Sequence, residues 1–408
     1  MRQDIKEKIE QIKNGQVPQG YTQTKFGVFP NDWHIANLNK NADIYDGTHQ
    51  TPNYTNSGIK FVSVENIKDL KSDKYISVDD YKKQYKIKPQ INDILMTRIG
   101  DIGTANIINT DEDLAYYVTL SLIRSNSINS VFLKHAIFGD LFQKELYKKT
   151  LHVAFPRKIN LGDIGKCKLL KPKEEKEQEK IASVLEEWDK AIELKTSLID
   201  KLKTQKKALM QKLLTPKPDW QKVKLGDILH ERNEYMQKGQ SLTHVTLSKE
   251  GVVDKTERYE RDFLVKDEEK KYKITKFNDI CYNPANLKFG VICRNNYGSA
   301  IFSPIYVTYE VKNDNDPMFV EHFITRKDFI NQVRKYEQGT VYERMAVHSN
   351  DFLNFKTSIP KPEQQQKIAE VLSMADEQIK LQQKELKQIE KQKKALMQLL
   401  LTGIVRVI

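Results

Sequence analysis

The sequence predicts an α+β protein: two mixed α/β domains joined by two long antiparallel coiled-coil helices, the halves related by a pseudo-two-fold internal repeat. Three observations predict it. Lys180-Ile-Ala-Ser-Val-Leu185 recurs as Lys367-Ile-Ala-Glu-Val-Leu372, an offset of 187 residues, and 17 of the 35 positions from Lys180 to Leu214 are identical to their partners without a gap. Residues 173–214 and 363–402 contain neither proline nor glycine. The regions before these segments differ strongly, yet the offset still carries Asp32-Trp33 onto Asp219-Trp220 and Gly103 onto Gly290, and with a one-residue slip Asn92-Asp-Ile94 onto Asn278-Asp-Ile280. At roughly 150 residues per domain, 408 residues also call for more than one.

In chain order the expected elements are an N-terminal helix (1–14), a first globular domain (15–171), a central helix (172–215), a second globular domain (216–360), a distal helix (361–403) and a tail (404–408). Ile5, Ile9 and Ile12 share one face of the first helix, which is expected to dock on the helical pair or on a partner. In the globular regions Ile91–Met96, Ala105–Ile108 and Ala300–Phe302 are short β-prone runs bounded by Gly, Asn and Asp. Val131–Phe138 and Met318–Ile324 are expected to be matching amphipathic helices. The long helices carry apolar residues at alternating spacings of four and three: Ile181, Leu185, Trp188, Ile192, Ile199, Leu202, Leu209 and Leu213 in the first, and Ile368, Leu372, Ala375, Ile379, Leu386, Ile389, Leu396 and Leu400 in the second. Such a heptad seam is what supercoiling helices bury, and packing within the chain is its plainest use. Both seams break at the same points, Lys195 with Gln382 and Lys206 with Lys393, where polar residues weaken the pair but fix its register. Pro216 and Pro218 stop the first long helix, and Pro172, Pro360 and Pro362 precede the two starts.

Charge narrows the partners. Lys and Arg number 67 against 55 Asp and Glu, a net of +12 and a pI near 9.2. Each long segment is close to neutral at +1, so ten of the excess positive charges lie elsewhere, mainly on the globular regions. That distribution suits a polyanion gripped by the domains, nucleic acid or an acidic membrane surface. Three cysteines without metal-site spacing argue against a disulfide scaffold or a zinc finger and favour a reducing cytoplasm. The N-terminus carries charges where a signal peptide needs an apolar core, and no stretch of about 18 uncharged apolar residues occurs.

Catalytic signatures are lacking. There is no G-x-x-x-x-G-K-[ST] loop, and Gly100-Asp-Ile-Gly103 lacks the third glycine of a dinucleotide fingerprint. The eight histidines make no H-E-x-x-H spacing. Asn283-Pro-Ala-Asn286 departs from the Asn-Pro-Pro-aromatic motif of adenine methyltransferases by lacking the stacking aromatic. The chain is expected not to be an enzyme and to hold no metal or cofactor of its own.

Two dissimilar globular regions, each followed by a similar long helix, resemble the specificity (S) subunit of a type I restriction–modification system. The resemblance runs from about Pro30 to Thr402. Its markers are Pro30-Asn-Asp-Trp33 and Pro218-Asp-Trp220 opening each target-recognition domain, Tyr45-Asp-Gly-Thr48, Ile59-Lys-Phe-Val-Ser63 and Asn92-Asp-Ile-Leu-Met-Thr-Arg-Ile-Gly100 in the first, and Leu247–Val253, Asp279–Pro284 and Phe302–Tyr306 in the second. Pro360-Lys-Pro-Glu-Gln-Gln-Gln-Lys-Ile-Ala369 leads into the distal helix as such subunits do, whereas Lys173-Glu-Glu-Lys176 departs from that pattern. The resemblance implies that each domain reads one half of a bipartite duplex DNA sequence, asymmetric because the domains differ. It implies partners too: two methyltransferase (M) subunits using S-adenosylmethionine and restriction/translocase (R) subunits using ATP and Mg, those cofactors lying on the partners. Two other readings stand beside it. One is an S-like recognition subunit of another DNA-methylation or defence system, the other a non-catalytic coiled-coil scaffold.

Base readout uses Arg or Lys on guanine and Asn or Gln on adenine. Candidate DNA-binding residues in or near Gly-rich turns are Thr48, His49, Gln50, Arg98 and Thr104 in the first half, and Ser248, Lys249, Asn283, Asn286 and Lys288 in the second. Arg157, Lys158 and Arg344 are loop cations suited to phosphate. The plainer account of all of these is that Asn and Thr cap turns while Arg and Lys are solvated or touch phosphate only.

Overall fold

The structure, a computed structural model, describes residues 3–237, 241–255, 271–312, 314–338 and 345–407. Arg344 lies outside the described residues. The chain divides into two compact units, Met1–Thr196 with Glu385–Ile408, and Ser197–Lys384. Each unit holds one globular region and a stretch of both long helices, Glu175–Leu214 and Pro362–Leu401.

In the first unit an antiparallel sheet has the order Ala42–Asp46, Leu120–Ser125, Ile94–Thr97, Ala105–Ile107. In the second unit the order Leu229–Glu231, Val307–Val311, Ile280–Tyr282, Ile292–Arg294 repeats it, again all antiparallel. A two-stranded ladder brackets each domain, Trp33–Asn37 with Lys168–Pro172 and Gln221–Lys224 with Lys356–Ile359. Behind each sheet stand a helix capped by an Asx side chain and a second helix: Ser130–Phe138 and Asp140–Lys149, then Pro317–Ile324 and Lys327–Val333. Asn129 accepts from Val131 N and Phe132 N, and Asp316 from Met318 N and Phe319 N, so both caps satisfy free N–H groups in the same way.

Asn92 and Asn278 explain why one tripeptide persisted in otherwise unlike domains. Both adopt left-handed backbone, φ 70° and 71°, which asparagine tolerates better than most L-residues. Each is followed by a buried aspartate closing the turn, Asp93 accepting from Gln90 N and Asp279 from Lys276 N. A bidentate arginine neutralises each carboxylate, Arg124 at 2.9 and 2.7 Å and Arg232 at 2.8 and 3.0 Å. The bond to Asp93 raises the Arg124 pKa and that to Asp279 raises the Arg232 pKa, outweighing the cost of burial.

Beyond this shared frame the domains part. The first adds a four-stranded sheet ordered Leu114–Tyr116, Ile59–Val62, Tyr75–Ile76, Tyr54–Thr55. The second adds a three-stranded sheet, Tyr235–Gln237, Lys271–Thr275, Ala300–Phe302, and the hairpin Val245–Ser248 with Gly251–Asp254.

The long helices run antiparallel in each unit. In the first, Lys195 Nζ lies 2.7 Å from Glu385 while Lys393 pairs with Asp189. In the second, Lys206 pairs with Asp376, and Leu209, Met210, Leu213 and Ile368 pack against a core that includes Ala369 and Leu372. The 187-residue offset turns Asp189–Lys393 into Asp376–Lys206, so the polar interruptions at Lys206 and Lys393 each meet an equivalent aspartate. All sixteen seam residues are buried or half-buried. Ile181, Leu185 and Leu400 enter the core of the first domain, and Trp188 stays half-buried.

Gln178 and Gln365, also 187 apart, seat the helices on the domains. Gln178 accepts from Asn129 N and donates to Pro172 O, while Gln365 accepts from Asp316 N and donates to Pro360 O. In the first unit the chain after Leu401 turns at Gly403 (φ 68°) onto the start of the domain, where Arg406 bridges Asp32 and Glu177. The N-terminal helix Gln3–Lys13 meets this tail through Lys8, within 3.5 Å of Ile404 O and 3.1 Å of Tyr21 Oη.

Candidate nucleic-acid interface

In the first unit three loops meet at one end of the main sheet. The strand Ala42–Asp46 runs into Gly47–Gln50, where the backbone pairs with the 116–118 segment through Thr48 N to Tyr116 O and Val118 N to Thr48 O. A Cβ on Gly47 would lie 2.6 Å from Tyr117 backbone, so this close crossing requires glycine. Arg98, leaving the strand Ile94–Thr97, is only 6% exposed and grips Asp46 with bonds of 2.7 and 2.9 Å. Asp46 in turn holds the exposed His49 at 2.8 Å. The third loop, Leu151–Lys158, joins through an Ile99–Lys158 bridge and Gly100 N donating to Arg157 O at 2.8 Å.

These positions sort by access. His49, Gln50, Arg157 and Lys158 are exposed, and Arg157 and Lys158 have no ion pair among the described residues. Thr48 is buried and donates to Gln84 at 2.8 Å. Thr104 takes part in the turn it closes, its N–H donating to Thr97 Oγ1 and its carbonyl accepting from Thr97 N. Arg98 is thus placed to orient Asp46 and His49 from beneath the surface.

In the second unit the candidates gather around a cleft lined by Thr246, Ser248, Lys249, Asn283, Asn286 and Phe289. Ser248 closes the hairpin turn, donating to Gly251 O and accepting from Glu250 N. Asn283 caps the 3₁₀ turn Pro284–Phe289 through Ala285 N, so this Asn-Pro-Ala-Asn run is a structural cap. Phe289, 56% exposed, carries a lysine on each side, Lys249 Nζ at 5.9 Å and Lys288 Nζ at 5.1 Å from the ring centroid. An exposed ring flanked by cations is a surface on which a base can stack between held phosphates. Sequence reasoning found the lysines and asparagines but missed Phe289; its position one residue before the left-handed Gly290 was the available signal.

No group of three or more His, Cys, Asp or Glu side chains suited to a metal ion occurs among the described residues. Burial pushes the Cys167 thiol up to about 12 and the Cys281 thiol to about 11, so neither is a thiolate at neutral pH. No helix among the described residues is long and apolar enough to cross a membrane.

Comparison with known proteins gives one answer. A family model described as the type I restriction modification DNA specificity domain matches residues 31–204. The chain is 27% identical to a protein of Methanocaldococcus jannaschii provisionally named type I restriction enzyme MjaX specificity subunit, over 95% of this chain and 97% of the relative. It is 26% identical to the MjaVIII specificity subunit of the same organism, over 57% of this chain and 60% of the relative. Among solved structures, the S subunit of a type I restriction–modification system from M. genitalium has the same fold, with a TM-score of 0.58, 13% identity, and 90% of this chain and 96% of that one covered. A chain solved in work on assembly and conformational transition of the type I system gives 0.55, at 12% identity, covering 92% and 99%. Residues 31–204 thus match the type I restriction modification DNA specificity domain, and along nearly its whole length the chain is similar to type I restriction–modification specificity subunits, whose fold it shares.

Proposed function

We propose that this chain reads an asymmetric, bipartite duplex target, one half-site per globular domain, with the paired long helices as the spacer between them. The observation that carries this reading is a shared frame bearing unlike surfaces. The main sheets, caps and helix seats repeat, whereas one domain presents His49, Gln50, Arg157 and Lys158 and the other Lys249, Asn286, Lys288 and Phe289. Exposed polar side chains at such surfaces read base edges, while the cations hold phosphate. Arg98, Thr48, Thr104, Ser248 and Asn283 shape the loops.

Two methyltransferase subunits dock on the long helices and restriction subunits join them. They bring S-adenosylmethionine, ATP and Mg, and the complex acts in the cytoplasm. Leu194 and Leu381, 187 apart, support two equivalent docking points, since each is more than half exposed on its helix. Methylation mapped by long-read sequencing in the source strain, with and without the gene, tests the whole reading. One motif of two short blocks around a fixed gap should lose its adenine mark on deletion. Unchanged methylation sinks the proposal.

A further inference from the structure

The loop Leu151–Lys158 combines a fixed base with an unburied tip. At the base, Leu151 N donates to Lys158 O at 2.8 Å, and Gly100 N donates to Arg157 O at the same distance. At the tip, Val153 and Phe155 are 100% and 104% exposed, with Leu151 and Tyr147 beside them in sequence and also exposed. Lone apolar residues on a surface are ordinary; a run of them on an anchored loop marks a contact surface. Its surroundings choose the partner. From Lys144 to Lys158 there are five basic residues and one acidic, and that acid, Glu145, is taken by Lys149 at 2.7 Å. An exposed phenylalanine in a basic stretch of chain matches a polymer with phosphates outside and stacked bases inside. Arg98, which orients Asp46 and His49, accepts at its carbonyl from Ile159 N, the residue after the loop, so the loop base adjoins the candidate interface. The 187-residue offset carries Phe155 onto Tyr342 and Arg157 onto Arg344, an aromatic and an arginine in both domains.

Resting on the DNA-reading role above, we propose that this loop is a duplex wedge. Phe155 inserts between base pairs of the half-site read by the first domain, and Arg157 and Lys158 hold the flanking phosphates. Apolar wedges of this kind partly unstack a base step and kink the duplex. Unstacking lowers the cost of extruding a neighbouring base, the step that chemistry on an adenine requires.

The test uses the full-length chain and a duplex carrying the motif returned by methylation mapping, with wild type, F155A, F155W and the double variant R157A/K158A. Because these side chains are exposed, all four should melt alike. F155A should bind about 5- to 150-fold more weakly with an unchanged salt dependence, the range expected for losing one aromatic stack. F155W should restore binding and its added indole emission should be quenched by the duplex. R157A/K158A should lower the slope of log affinity against log salt by about 1.8, the value for two lost phosphate contacts. Wild-type binding matched by F155A overturns the wedge while leaving DNA reading intact. Wild type that fails to bind the duplex, yet binds anionic lipid vesicles through Phe155, overturns both.

Discussion

The two places where the long helices meet a domain are chemically alike, and the two candidate interfaces are not. At one junction Gln178 seats the helix, Asp189 meets Lys393, and His135 Nε2 lies 3.7 Å from Asp189; at the other Gln365, Asp376, Lys206 and His322 do the same, with the histidine at 3.9 Å. At the candidate interfaces the match is partial: Phe155 and Arg157 fall on Tyr342 and Arg344 in sequence, but among the described residues Arg98 on Asp46 has no counterpart, and Phe289 with its two lysines falls where the first domain has Ile102. The same frame therefore carries unlike surfaces without alteration of its own contacts. The largest effect that could break this comparison is on specificity. Replacing residues 216–360 by the second domain of another subunit should change one block of the methylated motif completely and leave the other block and the gap unchanged, read by the same sequencing. A change in both blocks would mean that the domains do not read independently.

Next in size is core packing at the junctions. Leu185 and Leu372 are both fully buried and 187 apart. Truncating either to alanine should cost about 2–5 kcal/mol, since a buried leucine leaves both lost contact and a cavity. Denaturant unfolding should return similar losses for L185A and L372A if the junctions are equivalent; a difference above about 2 kcal/mol, the spread seen among such sites, would break the symmetry. Gln178→Ala and Gln365→Ala should follow at about 1–3 kcal/mol each, because a buried backbone N–H and a carbonyl lose their partner in both cases.

The histidines sharpen the comparison through pH. Burial, then the charge of Lys134, lowers the His135 pKa to about 3; burial, then Lys206, lowers that of His322. Both are neutral in the folded chain, while the unfolded chain takes up a proton near the ordinary value of 6.5. A depressed folded pKa means stability is whole above the unfolded value of 6.5 and falls as pH drops below it, toward the folded pKa. For His135 the slope approaches about 1.4 kcal/mol per pH unit while only the unfolded chain is protonated, and His322 adds a loss of the same sign. Unfolding measured on both sides of the ordinary histidine pKa should show this loss, and His135→Gln and His322→Gln should each flatten it.

Much of the frame was legible because it is written in local periodicity. The heptad spacing, the proline-free runs and the repeated Asn-Asp-Ile turn are signals carried by neighbouring residues. The added sheets were not legible: Tyr54–Thr55 and Tyr75–Ile76 are two-residue strands, too short to show alternation. In the candidate sites, sequence could nominate Arg98 as a cation near a glycine turn. Only folding brings it to Asp46, 52 positions away, and so turns a candidate reader into a support. Phe155 failed in the opposite sense, since a phenylalanine in sequence suggests core and nothing local says that this one stays in water.

The smallest effect concerns register. Lys206 and Lys393 interrupt the apolar seams, and each finds an aspartate on the antiparallel partner helix. Burial raises the Asp189 pKa, but the Lys393 hydrogen bond and the charges of Lys134 and Lys393 outweigh it and hold the carboxyl below its ordinary value. Asp189 and Asp376 nevertheless keep 38% and 45% of their side-chain area in water, so solvent screens most of the attraction. Asp189→Asn or Asp376→Asn should therefore cost only about 0.5–1 kcal/mol. Charge reversal is the better probe: D189K alone would set its lysine against Lys393 and Lys134, and adding K393D should recover most of the loss. Recovery is expected to be less complete at this junction than for D376K with K206D, because the swap leaves Lys134 facing the new lysine, whereas Asp376 faces one lysine only among the described residues. Equal recovery would mean that Lys134 contributes nothing and that each junction rests on its single seam ion pair.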